Sequence, residues 1–250
     1  MQLPLQSLRL LVAAPILILL FASSAFTTPS GPEFLSYSEL IRLYSELPLD
    51  AELEAKLARL RTTPFVYNDI RRQDRLARSP KFGEFIRVAL WNIERGLEYG
   101  ALEAIFGDPS RLEYLLDPEE FPVGSERRAE FMEQAAALRM ADVIILNEVD
   151  WGMKRTGYRN VVADLAAKLN MNYAFGVQFV ELSPVLYGDE PDSPNEDEQE
   201  LIEAFRPDRS RYKGLHGMAI LSKFSLENVR LKPFESQPYD WYRTELRGPG

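Results

Sequence analysis

An α/β fold is what the sequence predicts, on three observations. From residue 86 onward, stretches with helical spacing and stretches with strand spacing take turns along the chain. One strand candidate, Val143-Ile144-Ile145-Leu146, is a continuous apolar run of the kind found where a strand is covered on both faces. Two strand candidates finish in polar residues, Asn92 after 86–91 and Asn147-Glu148 after 143–146, and strand carboxyl ends are where α/β sheets form their ligand crevices.

In chain order, residues 1–25 read as a signal peptide: one early positive charge at Arg9, an apolar run over 10–21, and the small residues Ala22-Ser23-Ser24-Ala25 for cleavage. The run contains Pro15 and meets Ser23 and Ser24 before the roughly 20 apolar residues that a membrane span needs. Export to the periplasm or the extracellular space is therefore expected, with no stable membrane span after cleavage; an uncleaved amino-terminal anchor is the alternative. Residues 26–84 are expected to form a helical preface and linker. Leu40, Ile41, Tyr44 and Leu47 recur at helical spacing before Pro48, and Asp50 is placed to cap a helix carrying Leu53, Leu57 and Leu60. Arg71, Arg72, Arg75, Arg78 and Lys81 make a basic stretch read as a solvated face.

The main domain is expected over 85–250. Ile86, Val88 and Leu90 alternate with Arg87, Ala89 and Trp91 as a strand does. Ser125 can cap a helix with Phe131, Ala135 and Leu138 on one face, leading into the apolar strand at 143–146. Val161, Val162, Leu165 and Leu169 mark a helix closed by Asn170, and Tyr173, Phe175, Val177 and Phe179 alternate through a further strand. An acidic insertion is expected at 183–213, where Asp189, Glu190, Asp192, Glu196, Asp197, Glu198 and Glu200 follow one another without a base. Met218 to Leu221 and Val229 to Leu231 are expected as two short strands around a polar turn.

Composition narrows the chemistry. With 46% hydrophobic residues the chain can bury a core, so it is not a disordered protein. The absence of cysteine removes disulfides, thiolate metal sites and cysteine nucleophiles, and the single histidine, His216, cannot build a multi-imidazole zinc site. A metal here would be held mainly by oxygen, which points to hard cations such as Mg²⁺ or Mn²⁺. A formal net charge of -9 disfavours nucleic acid and anionic membranes as broad electrostatic partners without excluding nucleic acid as a substrate. No Walker loop, G-x-S-x-G elbow or H-E-x-x-H motif is present. That leaves Asn92 and Glu148: a carboxylate at a strand end can bind Mg²⁺, and an amide beside it can orient the carboxylate or a phosphate oxygen.

Three segments carry a resemblance. Val88-Ala89-Leu90-Trp91-Asn92-Ile93, then Asp142-Val143-Ile144-Ile145-Leu146-Asn147-Glu148-Val149, then Gly217-Met218-Ala219-Ile220-Leu221-Ser222-Lys223 resemble the first three blocks of the endonuclease/exonuclease/phosphatase superfamily, over about residues 85–235. That group includes DNase I, abasic-site nucleases, neutral sphingomyelinases and inositol-polyphosphate phosphatases. The resemblance implies a DNase I-like two-sheet sandwich flanked by helices and a divalent-metal-dependent phosphoester hydrolase. By the same resemblance Glu148 corresponds to the metal-binding glutamate, and Asn92 to the asparagine of the active-site network, so both are the expected catalytic and metal-site residues. Asn147 departs from the family's usual glutamine. His216, just before the third block, is expected in a strand-edge role ahead of a substrate contact, while Asp150, Lys154, Arg155 and Tyr158 follow the glutamate closely enough to reach the cleft.

The family's water-activating histidine, its orienting aspartate and its phosphate-gripping Asp-x-Asn block have no counterpart in residues 226–250 and are expected beyond residue 250. The 250-residue chain alone is therefore expected to be a truncated and inactive form of an exported phosphodiesterase acting on a phosphoester of unknown class. The alternative is a secreted, non-catalytic binding domain that uses its acidic segment for a partner.

Overall fold

A computed structural model of the chain describes residues 30–46, 48–70, 76–181 and 206–234. The signal segment 1–25, Leu47, Arg71, Arg72 and Arg75, the acidic run 189–200 and residues 235–250 lie outside the described residues.

Helix α1 (Tyr37–Ser45) begins one turn earlier than its apolar spacing indicates, because Ser36 and Glu39 form a reciprocal cap: the Glu39 N–H donates to the Ser36 hydroxyl, and the Ser36 N–H to the Glu39 carboxylate at 2.7 Å. Helix α2 (Ala51–Thr62) starts as predicted at Asp50, whose carboxylate accepts the Glu52 and Leu53 N–H groups. Leu40, Leu43, Leu53 and Leu60 go into the core. Beyond them the stretch read as a preface contributes strand β1 (Phe65–Tyr67). Its Phe65 is buried with the ring 4.8 Å from Trp151 and 6.4 Å from Phe175, so this segment belongs to the same core as the strands that follow.

A small hairpin, β2 (Ala77–Ser79) and β3 (Gly83–Phe85), precedes the main strands β4 (Val88–Arg95), β5 (Val143–Trp151), β6 (Asn172–Val180) and β7 (Leu215–Ser222). The five-stranded sheet has the order β1-β6-β7-β5-β4; β4 and β5 are parallel and the other neighbours antiparallel. The parallel pair needs a long crossover. It consists of α3 (Tyr99–Phe106), α4 (Pro109–Leu115) and α5 (Glu126–Met140), the last capped by Ser125 as the sequence indicates. The first two helices have no counterpart in the sequence reading. Gly100 sits inside α3, which has no side-chain cap, but Asp108-Pro109 is a legible start for α4. Helix α6 (Val161–Leu169) lies against β5, β6 and β7 and closes with Asn170 in a left-handed conformation.

The chain is thus α/β, with a mixed sheet and helices. Successive strand residues point to opposite faces. Ile144, Leu146, Ala219, Leu221, Tyr173 and Phe175 fill the buried face. On the other face Val88, Leu90, Met218 and Ile220 remain 40–67% exposed. The apolar run at 143–146 is consequently not buried on both sides as expected: Ile144 and Leu146 are buried, while Val143 and Ile145 are only half-buried. A second correction concerns residues 229–231, which form no strand. Asn68 exchanges hydrogen bonds with the Leu226 backbone at 2.9 and 2.8 Å, and the Asn172 amide donates to the Ile70 and Phe224 carbonyls. Side-chain amides thus hold the stretch after β7 where a strand ladder would have done so.

Candidate active site

The parallel pairing of β4 with β5 brings Asn92 and Asn147 level, and beyond that point both strands break register. The β4–β5 register shifts between Asn92 and Arg95, the β5–β7 register between Leu146 and Val149, and the β6–β7 register between Val177 and Phe179. Strand β4 therefore continues past its expected end at Asn92. Glu94, Arg95 and Glu148 take positive φ angles of 47°, 68° and 53°, each a left-handed conformation that costs a side-chain-bearing residue about 1–3 kcal/mol. Such bulges re-aim side chains and cluster beside functional sites. Here they open a cavity of about 500 Å³ lined by Asn92, Arg95, Asn147, Glu148, Gln178 and His216, among others.

Asn92 and Glu148, predicted as a pair, are brought together. The Asn92 Nδ2 donates to Glu148 Oε1 at 2.8 Å, and its Oδ1 accepts the Glu94 N–H at 2.9 Å, so the bulge fixes the amide and the amide fixes the carboxylate. Glu148 accepts no other hydrogen bond among the described residues. Arg95, exposed at the cavity, forms no ion pair among them either. Among the described residues no group of three or more acidic or histidine side chains is arranged to hold a metal ion. One carboxylate with neighbouring amide oxygens still suits Mg²⁺, which keeps several waters and takes one or two carboxylates plus substrate phosphate oxygens. The residues present fit that cation.

Behind the cavity lies an ionic network centred on a buried aspartate. Asp150 is fully buried and takes Arg155 in two hydrogen bonds, from Nε at 2.6 Å and Nη2 at 3.0 Å. Its Oδ1 also meets His216 Nδ1 at 2.9 Å. Arg155 donates from Nη1 to Glu181 at 2.6 Å. Burial works against the Arg155 charge, but Glu181 and Asp150 outweigh it and raise its pKa. The His216 ring stacks on Phe179 with centroids 4.5 Å apart. A side chain on the next residue, Gly217, would come within 2.0 Å of the Gly176 carbonyl oxygen, so only glycine permits the approach of β6 and β7 beside the histidine.

Of the four residues expected near the cleft, none lines the cavity. Asp150 and Arg155 belong to the ionic network, Lys154 donates to the Arg206 carbonyl at 2.8 Å, and the Tyr158 hydroxyl accepts the Asp208 N–H at 2.6 Å. Arg95 and Gln178, which the sequence reading did not single out, line the cavity, as does His216, for which a strand-edge role was placed ahead of a substrate contact. The available signals were a lone histidine before a glycine in the third block and an aspartate two residues after the glutamate. A larger cavity of about 820 Å³ lies elsewhere, lined by Tyr99, Arg159, Asp164 and Lys168. Its charges are committed: Lys168 pairs with Glu103 at 2.7 Å and Arg159 with Asp164 at 3.7 Å. No helix among the described residues is long and apolar enough to cross a membrane.

No known family, curated protein or solved structure matches the chain.

Proposed function

We propose that the chain is an exported phosphoester hydrolase that uses Mg²⁺ or Mn²⁺ at Glu148. The observation that carries this reading is the 2.8 Å Asn92–Glu148 hydrogen bond, set between two parallel strands at a point where strained backbone turns the carboxylate toward a solvent-open cavity. Glu148, held in place by the Asn92 amide and helped by the amide oxygen of Asn147, would hold the cation. Bound there, the cation would polarise the phosphoryl group and stabilise the leaving oxygen. Arg95 faces the same space as a cation without a partner among the described residues, suited to a phosphate oxygen. The apolar open face of Val88, Leu90, Met218 and Ile220 supports the two-sheet sandwich, since a second sheet would bury it. Export rests on the apolar run over 10–21 and its small-residue flank.

The test is Mn²⁺ binding followed by water-proton relaxation, with Mg²⁺ as competitor, on wild type and Glu148→Gln. Binding by the wild type and its loss in the variant are expected. Equal binding by both proteins removes Glu148 from the site and the reading with it.

A further inference from the structure

The cavity of about 820 Å³ walled by β1, β6, α3 and α6 shares no lining residue with the one around Glu148. Tyr67 and Tyr173 are cross-strand partners on β1 and β6, so their rings stand on one face of the sheet, stacked with centroids 5.6 Å apart. From α6 come the side chains of Ala163, Ala166 and Ala167, too short to fill the space. Tyr99 from α3 and Asp164 from α6 supply further polar groups to the wall.

Two hydroxyls in this wall carry a proton with no acceptor. Tyr173 is only 4% exposed, and the polar group beside its phenol oxygen is Asn160. The Asn160 amide oxygen accepts the Ala163 N–H at 3.1 Å, and its NH₂ approaches Tyr173 as a donor. The Tyr173 O–H therefore has no acceptor among the described residues, and neither has the O–H of half-buried Tyr67. Buried polar groups are almost always hydrogen-bonded, so a buried, unmatched O–H at a cavity wall marks a place for an acceptor. Asp164 offers the opposite capacity. Its neighbours are Arg159, at 3.7 Å and so beyond hydrogen-bond length, and the Tyr99 hydroxyl, whereas a carboxylate has about four acceptor sites. Burial pushes the phenols of Tyr99 and Tyr173 up to about 12, which keeps both as neutral donors at physiological pH.

We propose that this cavity binds an uncharged sugar ring, at a site separate from the phosphoester site and independent of that reading. The charged groups of the lining, Glu103, Asp164, Arg159 and Lys168, cancel, and Lys168 pairs with Glu103 at 2.7 Å, so a charged ligand would meet no unpaired counter-ion. A purely apolar ligand would seal the Tyr67 and Tyr173 hydroxyls away from water with nothing to accept their protons. A sugar meets both demands. Its C–H faces pack on tyrosine rings, its oxygens accept from Tyr67 and Tyr173, and one of its hydroxyls donates to Asp164. The volume lies within the roughly 300–1,000 Å³ usual for small-molecule sites.

The test is saturation-transfer NMR of the whole chain with methyl glucosides, methyl galactosides, N-acetylglucosamine, maltose and cellobiose. Binding of at least one of them with a Kd below about 10 mM is expected. Tyr173→Phe keeps the ring and removes the hydroxyl, so affinity for that sugar should fall about 3- to 10-fold. Ala167→Trp, placed on the exposed rim, should fill the cavity and abolish binding. If no sugar binds, the cavity holds water only and the proposal is overturned. Wild-type affinity in Tyr173→Phe also overturns it, as does stronger binding of glucose 6-phosphate than of the uncharged sugars. Binding that survives in Ala167→Trp but is lost in Glu148→Gln places the sugar in the other cavity and overturns this site. If Ala167→Trp does not fold, Tyr173→Phe decides.

Discussion

The two ends of β5 carry acidic residues in opposite situations. At the amino end Asp142 accepts the Arg87 N–H at 2.8 Å and the Lys223 ammonium at 3.1 Å, so protein donors satisfy it and it staples β7's exit to β4's entry. Burial pushes its carboxyl up, but the Arg87 N–H and Lys223 outweigh that and hold it below the usual carboxylate range. At the carboxyl end Glu148 has a left-handed backbone and a single donor, Asn92, and faces a cavity. Both follow the same apolar logic of strand and polar flank. What separates a structural carboxylate from a site carboxylate is how many protein donors it already has and whether the backbone is strained to present it.

The sharpest test of this contrast lies two residues further on. Asp150→Ala is expected to cost about 3 kcal/mol in urea unfolding, because it removes the buried partner of the half-buried Arg155 guanidinium. A loss under about 1 kcal/mol would mean that water or rearrangement already serves Arg155, and that Asp150 is not the structural anchor of that end. Next comes Glu148→Gln, expected to weaken Mn²⁺ more than the roughly 10- to 100-fold typical of losing a supporting residue, while stability stays within about 0.5 kcal/mol. Destabilisation without loss of metal would make Glu148 resemble Asp142 and erase the contrast.

Asp142→Asn should do the reverse, lowering stability by about 1–3 kcal/mol at neutral pH and leaving Mn²⁺ binding untouched. Its pH dependence has a definite sign. The folded-state carboxyl is held below its unfolded value, so the contribution of Asp142 is complete above about pH 4 and is lost as pH falls through the lower folded value. Wild type and variant should therefore converge in acid; a gap that stays constant down to about pH 2 would contradict the linkage. The smallest effect is reserved for the backbone: Arg95→Gly should relieve a φ of 68°, whose strain of about 1–3 kcal/mol outweighs the roughly 0.4–1 kcal/mol that glycine costs through the freer unfolded chain, for a small net stabilisation with weakened turnover. A destabilised Arg95→Gly would show that the bulge is not strained in the way its φ angle indicates.

Much of the local structure was legible because it is governed by neighbours in sequence. Asp50, Ser125 and Asn170 end their helices where their short side chains and backbone preferences predict. The apolar run after Asp142 announced β5, and its polar flank announced Glu148. Less legible was β1, a three-residue strand whose place is set by Phe65 meeting Trp151 and Phe175 from far along the chain. The open face of the sheet was also invisible, since an apolar run records what a strand can bury and not whether a layer covers it.

For the site, the sequence by itself determined the chemistry available: no cysteine, one histidine, and carboxylates and amides at strand ends. Which of these meet was decided only by the tertiary structure. Early in β5, Ile145 pairs with Ile220 and Leu146 with Ala219, and continuing that register would set Asp150 opposite Leu215. The extra residue at the bulge between Leu146 and Val149 shifts the ladder by one and sets Asp150 opposite His216. A matching shift in β6 sets Phe179 opposite the same histidine from the other side. A strand's side chains alternate with a period of two, so a slip of one residue exchanges which side chains face each other; no local pattern encodes that slip, because it arises from three strands bulging at one level of the sheet.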